Sequence, residues 1–372
     1  MNPAAIDTIL QKRRVIITCG TGGVGKTTVS AALAVRAAML GKKVVVVTID
    51  PAKRLVTSLG LDELGDAPTD LTSKLKAVPQ PLAASVTGSI WALMPDTRQT
   101  FECFVETLSS NPNIVEKLKA NPIYQIFARE FSGTNEYMAL EKLYSLHETR
   151  EFDVIILDTP PSRNTLAFLD APKLLNRLFE EKLIKWMVIP TNKILAAGMR
   201  TAFSLLEKLT GKGFMSNLLE FAQSLFDVQA QFSQNLKKIM TLLESEEVGF
   251  ILTAAPIPDF APELESFVKS IDQHHFHFDG LILNRCLGSL NLSGNLSGNT
   301  PENFHENSKT NSPPLSSEVS QLLESLWARE DLAQSQLLNV LEQNRPIARL
   351  PELTRDVHTL EDLFHVALAF SQ

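Results

Sequence analysis

VIITCGTGGVGKTTVSAALAVRAAMLGKKVVVVTID, Val15 to Asp50, is the stretch whose pattern sets the fold class. Val15 to Thr18 is a short apolar run rich in β-branched residues. Glycine-rich sequence follows, then an alanine-rich stretch from Thr27 to Leu40 that reads as a helix, with Gly41 as its stop. Val44 to Thr48 (VVVVT) is a second strand. Continuous apolar strands of this kind suit a parallel sheet covered by helices on both faces. Strand, helix and strand make one βαβ unit.

Between that strand and that helix lies GTGGVGKTT, Gly20 to Thr28. It matches GxxxxGK[ST] in the strand-to-helix setting the motif requires. Glycine lets the backbone wrap tightly around phosphates without a Cβ clash. The loop N–H groups and the helix N-terminus then face the anion. Gly20, Thr21, Gly22, Gly23, Val24, Gly25, Lys26, Thr27 and Thr28 are the expected nucleotide-binding residues. Lys26 would reach the β- and γ-phosphates and Thr27 would ligate Mg²⁺. The bland alternative is a glycine-rich turn without chemistry, and the flanking elements weigh against it.

Two aspartates follow strands, Asp50 after VVVVTI and Asp158 after VIIL. Ligands of such sheets bind at the carboxyl ends of the strands. Asp158 is therefore expected as a Walker-B-type Mg²⁺ carboxylate, acting directly or through water. Asp50 is expected to orient the attacking water or take its proton, and to count with Thr27 and Asp158 among the Mg²⁺ residues. The alternative for each is a polar cap on the next helix.

Farther along, the pattern turns helical from about Ser85 to Arg150, where Phe101, Phe104, Val105 and Leu108 share one helix face. Val154 to Leu157 is again strand-like, and a second helical stretch covers about Ala171 to Glu247. Alternation then resumes: strands at Val248–Ala254, Gly280–Leu283 and Pro346–Leu350, and helices near Glu263–Ile271, Glu318–Leu341 and Leu360–Phe370. The expected fold is α/β, a doubly wound, mostly parallel sheet of P-loop NTPase type with a helical insertion. Residues 1–84, 151–170 and 248–372 would form the core, and 85–150 and 171–247 the helical subdomain. Residues 288–317, rich in Ser, Asn, Gly and Pro, are expected as a disordered surface loop within the core.

The chain has 372 residues, 44% hydrophobic and 21% charged, enough apolar material for a sizeable core. A net charge of -7 does not fit a general nucleic-acid or anionic-membrane binder. Cys19, Cys103 and Cys286 lie far apart with no CxxC pair, which speaks against a disulfide framework and a cysteine zinc site. That usage fits a reducing cytoplasm. No apolar run approaches the roughly 18 residues needed to cross a bilayer.

Together the motifs resemble the arsenical-pump ATPase (ArsA) family, relatives of the tail-anchored-protein targeting ATPase and of the cell-division positioning ATPases. The resemblance rests on GTGGVGKTT, on TIDPAKRL at Thr48 to Leu55, and on DTPPSRNTLAFLDAP at Asp158 to Pro172. The last two are similar to the family's first and second switch loops. NRC at Asn284 to Cys286 resembles the strand end whose Asn reads adenine. ARLPEL at Ala348 to Leu353, with Pro351, resembles the late loop beside the base. The resemblance implies a Mg²⁺-dependent ATP hydrolase that works as a conformational switch. It would bind ATP and ADP, form a homodimer, and drive a membrane-protein or client-protein partner through its helical subdomain. It would act in the cytoplasm, with membrane contact made through a partner and no role for nucleic acid. Rival readings are a regulatory positioning-type switch and a metabolic phosphotransferase on the same fold.

There are departures from the family pattern. Thr21 replaces the signature Lys, and after Pro160 the second switch carries Arg163 and Asn164 where Gly and His are usual. Arg163 could replace missing charge, since its fork suits phosphate oxygens. The cysteines offer no basis for a three-thiolate arsenite site. His274, His275 and His277 read better as a helix end than as a metal site. The Phe-rich stretch with Phe203, Phe214, Phe221, Phe226 and Phe232 reads first as core and second as a client groove. Trp186 to Val188 reads as a buried helix end.

Overall fold

The computed structural model describes residues 4–49, 54–107, 111–130, 134–159, 213–257, 260–287, 317–341, 347–353 and 356–370. Among the described residues eight strands form one sheet: β1 (Val15–Cys19), β2 (Lys43–Thr48), β3 (Thr69–Asp70), β4 (Ser89–Leu93), β5 (Val154–Asp158), β6 (Val248–Ala254), β7 (Phe278–Cys286) and β8 (Ile347–Pro351). Their order is β3-β4-β2-β5-β1-β6-β7-β8. Every neighbouring pair is parallel except β3 with β4. β1 thus lies inside the sheet, between β5 and β6. The crevice at its carboxyl end is where a doubly wound sheet binds ligands.

Alternation along the strands divides the apolar side chains between two faces. Ile16, Val44, Val46, Val154, Ile156, Ile251 and Ile282 pack on one side with α1 (Ala4–Lys12), α2 (Lys26–Met39) and α3 (Arg54–Ser58). Ile17, Val45, Val47, Ile155, Leu157, Phe250 and Leu252 pack on the other with the helical layer. Both faces are covered, which is why the strands read as unbroken apolar runs.

α2 is buried along most of its length, and its run of alanines lets neighbours approach closely. The last helix, α12 in chain order (Leu360–Ala369), packs on it with Leu363, Phe364, Val366 and Ala367 buried. Thr359 and Asp362 form a reciprocal capping box at its start. The apolar face of this last helix is therefore spent on α2. α1 is tied to α2 by a two-bond Arg36–Asp7 pair, at 2.7 and 2.6 Å.

One expectation is corrected here. Ser89–Leu93 lies in the stretch expected to be helical, yet it is β4, paired with β2 from Lys43↔Ser89 to Val47↔Leu93. Ile90 and Ala92 face one core and Leu93 the other, a period-2 pattern. Ala, Leu and Met also suit helices, so SIWALM carries no clear period on its own. Gly88 marks the strand start: a Cβ there would stand 2.2 Å from the Lys42 carbonyl oxygen. The helical run of this part begins at Thr97, with α4 (Thr72–Lys76) before β4 and α5 (Thr97–Thr107), α6 (Pro112–Ala120), α7 (Pro122–Glu130) and α8 (Thr134–Thr149) after it.

α9 (Phe214–Leu243) follows. It buries Phe221 and Phe232 in the core, while Phe226 is exposed. Phe203, Trp186 to Val188 and residues 288–316 lie outside the described residues. α10 (Ala261–Gln273) ends at His274, whose ring nitrogen lies 2.8 Å from the Ser270 carbonyl and whose ring stacks on Phe276. α11 (Ser317–Val340) precedes β8.

A second ion pair crosses the sheet edge. Arg13 donates two hydrogen bonds to Asp279, at 2.7 and 2.6 Å, over Gly249 of β6. A Cβ on Gly249 would meet Asp279 at 1.8 Å, so only glycine leaves room for the pair.

Candidate active site

The loop after β1 has the backbone that its glycines allow. Gly20, Gly23 and Gly25 have φ of 148°, 85° and 88°, the region that L side chains avoid. Nothing stands within 4 Å of where a Cβ on Gly23 would be, so the loop is open there. At Gly25 the opposite holds: a Cβ would stand 2.2 Å from the Asn284 amide nitrogen. α2 begins at Lys26, so its unpaired N–H groups point into the same loop.

Lys26 is buried, and its ammonium donates to the Gly20 carbonyl at 2.7 Å and the Thr21 carbonyl at 3.2 Å. The charge is held over the loop, where a phosphate would sit. Thr27, one residue on, is hydrogen-bonded to Asp158.

Asp158 is fully buried at the carboxyl end of β5. Register explains its company. Thr18 of β1 and Thr48 of β2 are its direct neighbours across the sheet. Thr48 Oγ1 donates to Asp158 Oδ2 at 3.0 Å, and Ser30 of α2 donates to Oδ1 at 3.2 Å. The Ser30 hydroxyl also lies 2.7 Å from that of Thr18. Burial pushes the Asp158 carboxyl up to about 6, against the hydroxyl donors and Lys26, which hold it down. It is a buried carboxyl beside a hydroxyl-bearing helix start.

This donor set fits Mg²⁺. It is all oxygen, a carboxylate and a threonine hydroxyl, the hard ligands that Mg²⁺ takes together with water and substrate phosphates. The glycine cradle and the buried ammonium fit polyphosphate. Thr253, fully buried at the end of β6, has a hydroxyl with no partner among the described residues, and its carbonyl lies under Gly20.

The structure thus brings together the loop from Gly20 to Thr28 and Asp158. Asn284 joins them from β7: its amide nitrogen donates to the Val24 carbonyl at 2.9 Å. Pro351 ends β8 opposite Cys286, at the same end of the sheet. Asp50, Pro160, Arg163 and Asn164 lie outside the described residues. Ser30, Thr48 and Thr18 were not singled out in the sequence. Nothing but the strand order and register marks them, since each looks like an ordinary helix or strand residue.

The three thiols are spread over separate elements. Cys19 and Cys286 are buried, and burial pushes each up to about 12, which keeps both protonated; Cys103 is exposed on α5. Among the described residues no helix is long and apolar enough to cross a membrane.

Residues 13–290 match the model of a family described as anion-transporting ATPase. Similar curated proteins include putative arsenical pump-driving ATPase 1 of Aquifex aeolicus, 29% identical over 187 residues, 48% of this chain and 44% of that one. Putative arsenical pump-driving ATPase 2 of the same organism is 24% identical over 284 residues, 74% of this chain and 80% of its own length. ATPase get3 of Aspergillus terreus is 28% identical over 183 residues, 48% of each. The matches thus span under half the length of the first and third of these relatives and four-fifths of the second.

Proposed function

The chain belongs to the anion-transporting ATPase family, and on that premise we propose that it is a Mg²⁺-dependent ATP hydrolase acting as a conformational switch. One observation carries the reading: a glycine cradle at positive φ opens α2 so that Lys26, Thr27 and the buried Asp158 converge on one point.

The reaction is attack of water on the γ-phosphate, with ADP leaving. Loop amides and Lys26 bind the phosphates and stabilise charge that develops on them. Lys26 must leave the Gly20 and Thr21 carbonyls to do so. Thr27, Asp50 and Asp158 are the residues that would hold Mg²⁺, which neutralises phosphate charge when bound. Asp50 orients the water and accepts its proton. The hydroxyls of Ser30 and Thr48 keep Asp158 ionised and aimed. Asn284 and Pro351 flank the adenine.

Thr21 supplies no second cation where the family pattern that the loop resembles has lysine. Pro160, Arg163 and Asn164 belong to the proposed second switch, in which Arg163 is the source of replacement charge. Two subunits would close on ATP and relax after hydrolysis, passing the change through the helical layer to a partner protein. The names of two relatives suggest one output, arsenical pumping, and the resemblance of the sequence motifs implies another, protein targeting. The scattered thiols, two of them buried, favour a protein client over arsenite.

Equilibrium binding of a fluorescent ADP separates the roles. Lys26→Ala should weaken binding at least tenfold, while Asp50→Asn should bind as the wild type does. Wild-type protein that binds neither ADP nor ATP would overturn the reading.

A further inference from the structure

β7 ends in an unusual way, and one buried side chain holds that end. Arg285 has φ of 64°, a left-handed conformation that a non-glycine residue adopts only where its surroundings impose it. On one side of it, Asn284 reaches the Val24 carbonyl and fills the space beside Gly25. On the other side, the Leu287 N–H donates to Glu330 Oε2 at 2.7 Å. Glu330 lies on α11 and is 5% exposed. Its second oxygen accepts a 2.7 Å bond from Gln334, 7% exposed and one turn on, and the Cys286 thiol lies against the same carboxylate. The Cys286 carbonyl in turn accepts from the Glu352 N–H, tying the same turn to the end of β8.

We propose that Glu330 is a positioning residue for the nucleotide loop: by fixing Leu287 it imposes the left-handed turn at Arg285 and so presses Asn284 against Val24 and Gly25. The effect passes from α11 through Leu287 and the last three residues of β7 to the phosphate cradle. Without the carboxylate the part-buried Leu287 N–H loses its acceptor, and Arg285 is free to relax to negative φ. Asn284 then swings with the backbone, and the loop loses its brace. Ground-state nucleotide binding suffers, whereas the γ-phosphate chemistry, set by other residues, does not.

This rests on the ATP-binding reading above, and the test separates the two. Binding of fluorescent ADP without Mg²⁺, and KM with kcat for ATP, are measured for wild type, Glu330→Ala, Glu330→Gln, Asn284→Ala and the double variant Asn284→Ala/Glu330→Ala. Glu330→Ala should weaken ADP binding about tenfold and raise KM with little change in kcat. Glu330→Gln, whose amide oxygen still accepts from Leu287, should restore binding to within about twofold of wild type. The double variant should bind no worse than Asn284→Ala alone, because the two act in series. If Glu330→Ala does not fold, Glu330→Asp, with its carboxylate drawn back by one methylene, takes its place. Independent, multiplying losses in the double variant, or unchanged binding in Glu330→Ala, would overturn the proposal. A wild type that binds no nucleotide would instead overturn the earlier reading.

Discussion

Gly25 joins two demands at one residue. Its φ of 88° suits glycine, and any Cβ would press on the Asn284 amide at 2.2 Å. Gly25→Ala must therefore strain the backbone or expel Asn284, at a cost of about 1–3 kcal/mol. We expect at least a tenfold loss of ADP affinity, read by fluorescence titration. The bend of the loop was legible in the sequence, because its positive φ angles demand glycine at these steps. Asp158 was legible as a strand-end carboxylate. Its surroundings were not. Thr48 faces it only because β2 and β5 are neighbours in register, and Ser30 only because α2 crosses the sheet there. Thr48→Val should leave the fold intact and remove one of the donors holding the Asp158 carboxyl down, so that Mg²⁺-dependent nucleotide binding weakens severalfold more than Mg²⁺-free binding.

Between elements, the joints at the amino-terminal end of the sheet invite two stability tests. Gly249 of β6 leaves room for the Arg13–Asp279 pair, and Arg13 is 6% exposed. Gly249→Val should push Asp279 aside and leave a buried guanidinium short of its partner, costing about 3 kcal/mol in chemical denaturation. The second joint is Glu247, which meets His147 and Arg150 at the end of α8. The hydrogen bond from His147, and then Arg150, hold its carboxyl below the ordinary carboxylate range. A carboxyl lowered by folding stabilises above its unfolded value, about 4.3, and loses that contribution as pH falls through the folded value. Glu247→Gln should therefore cost roughly 1 kcal/mol or less at pH 7 and nothing near pH 2, as read by urea melts. Among the elements, the long apolar strands and α2 were legible because both faces are buried. β4 was not, since SIWALM is short and built from residues that also suit a helix. The two-residue β3 left no periodic signal at all.

For the molecule as a whole, the sheet order places the loop after β1, Asp158, Asn284 and Pro351 along one edge, although they lie up to 331 positions apart in the chain. The alternation of strands and helices made that edge predictable. The contact of Glu330 with the end of β7 was not, because it joins an α11 side chain to one backbone N–H and leaves no pattern in either segment. A switch that closes between two copies predicts a change of mass: light scattering should give a value near 41.1 kDa without nucleotide and about twice that with ATP and Mg²⁺ in Asp50→Asn, where hydrolysis is blocked. The decisive measurement is steady-state ATP hydrolysis with and without Mg²⁺, in the wild type and in Asp50→Asn. The switch mechanism predicts Mg²⁺-dependent turnover in the wild type and at least a hundredfold loss in Asp50→Asn with ADP binding retained. Equal turnover in the two proteins, or turnover indifferent to Mg²⁺, would contradict it.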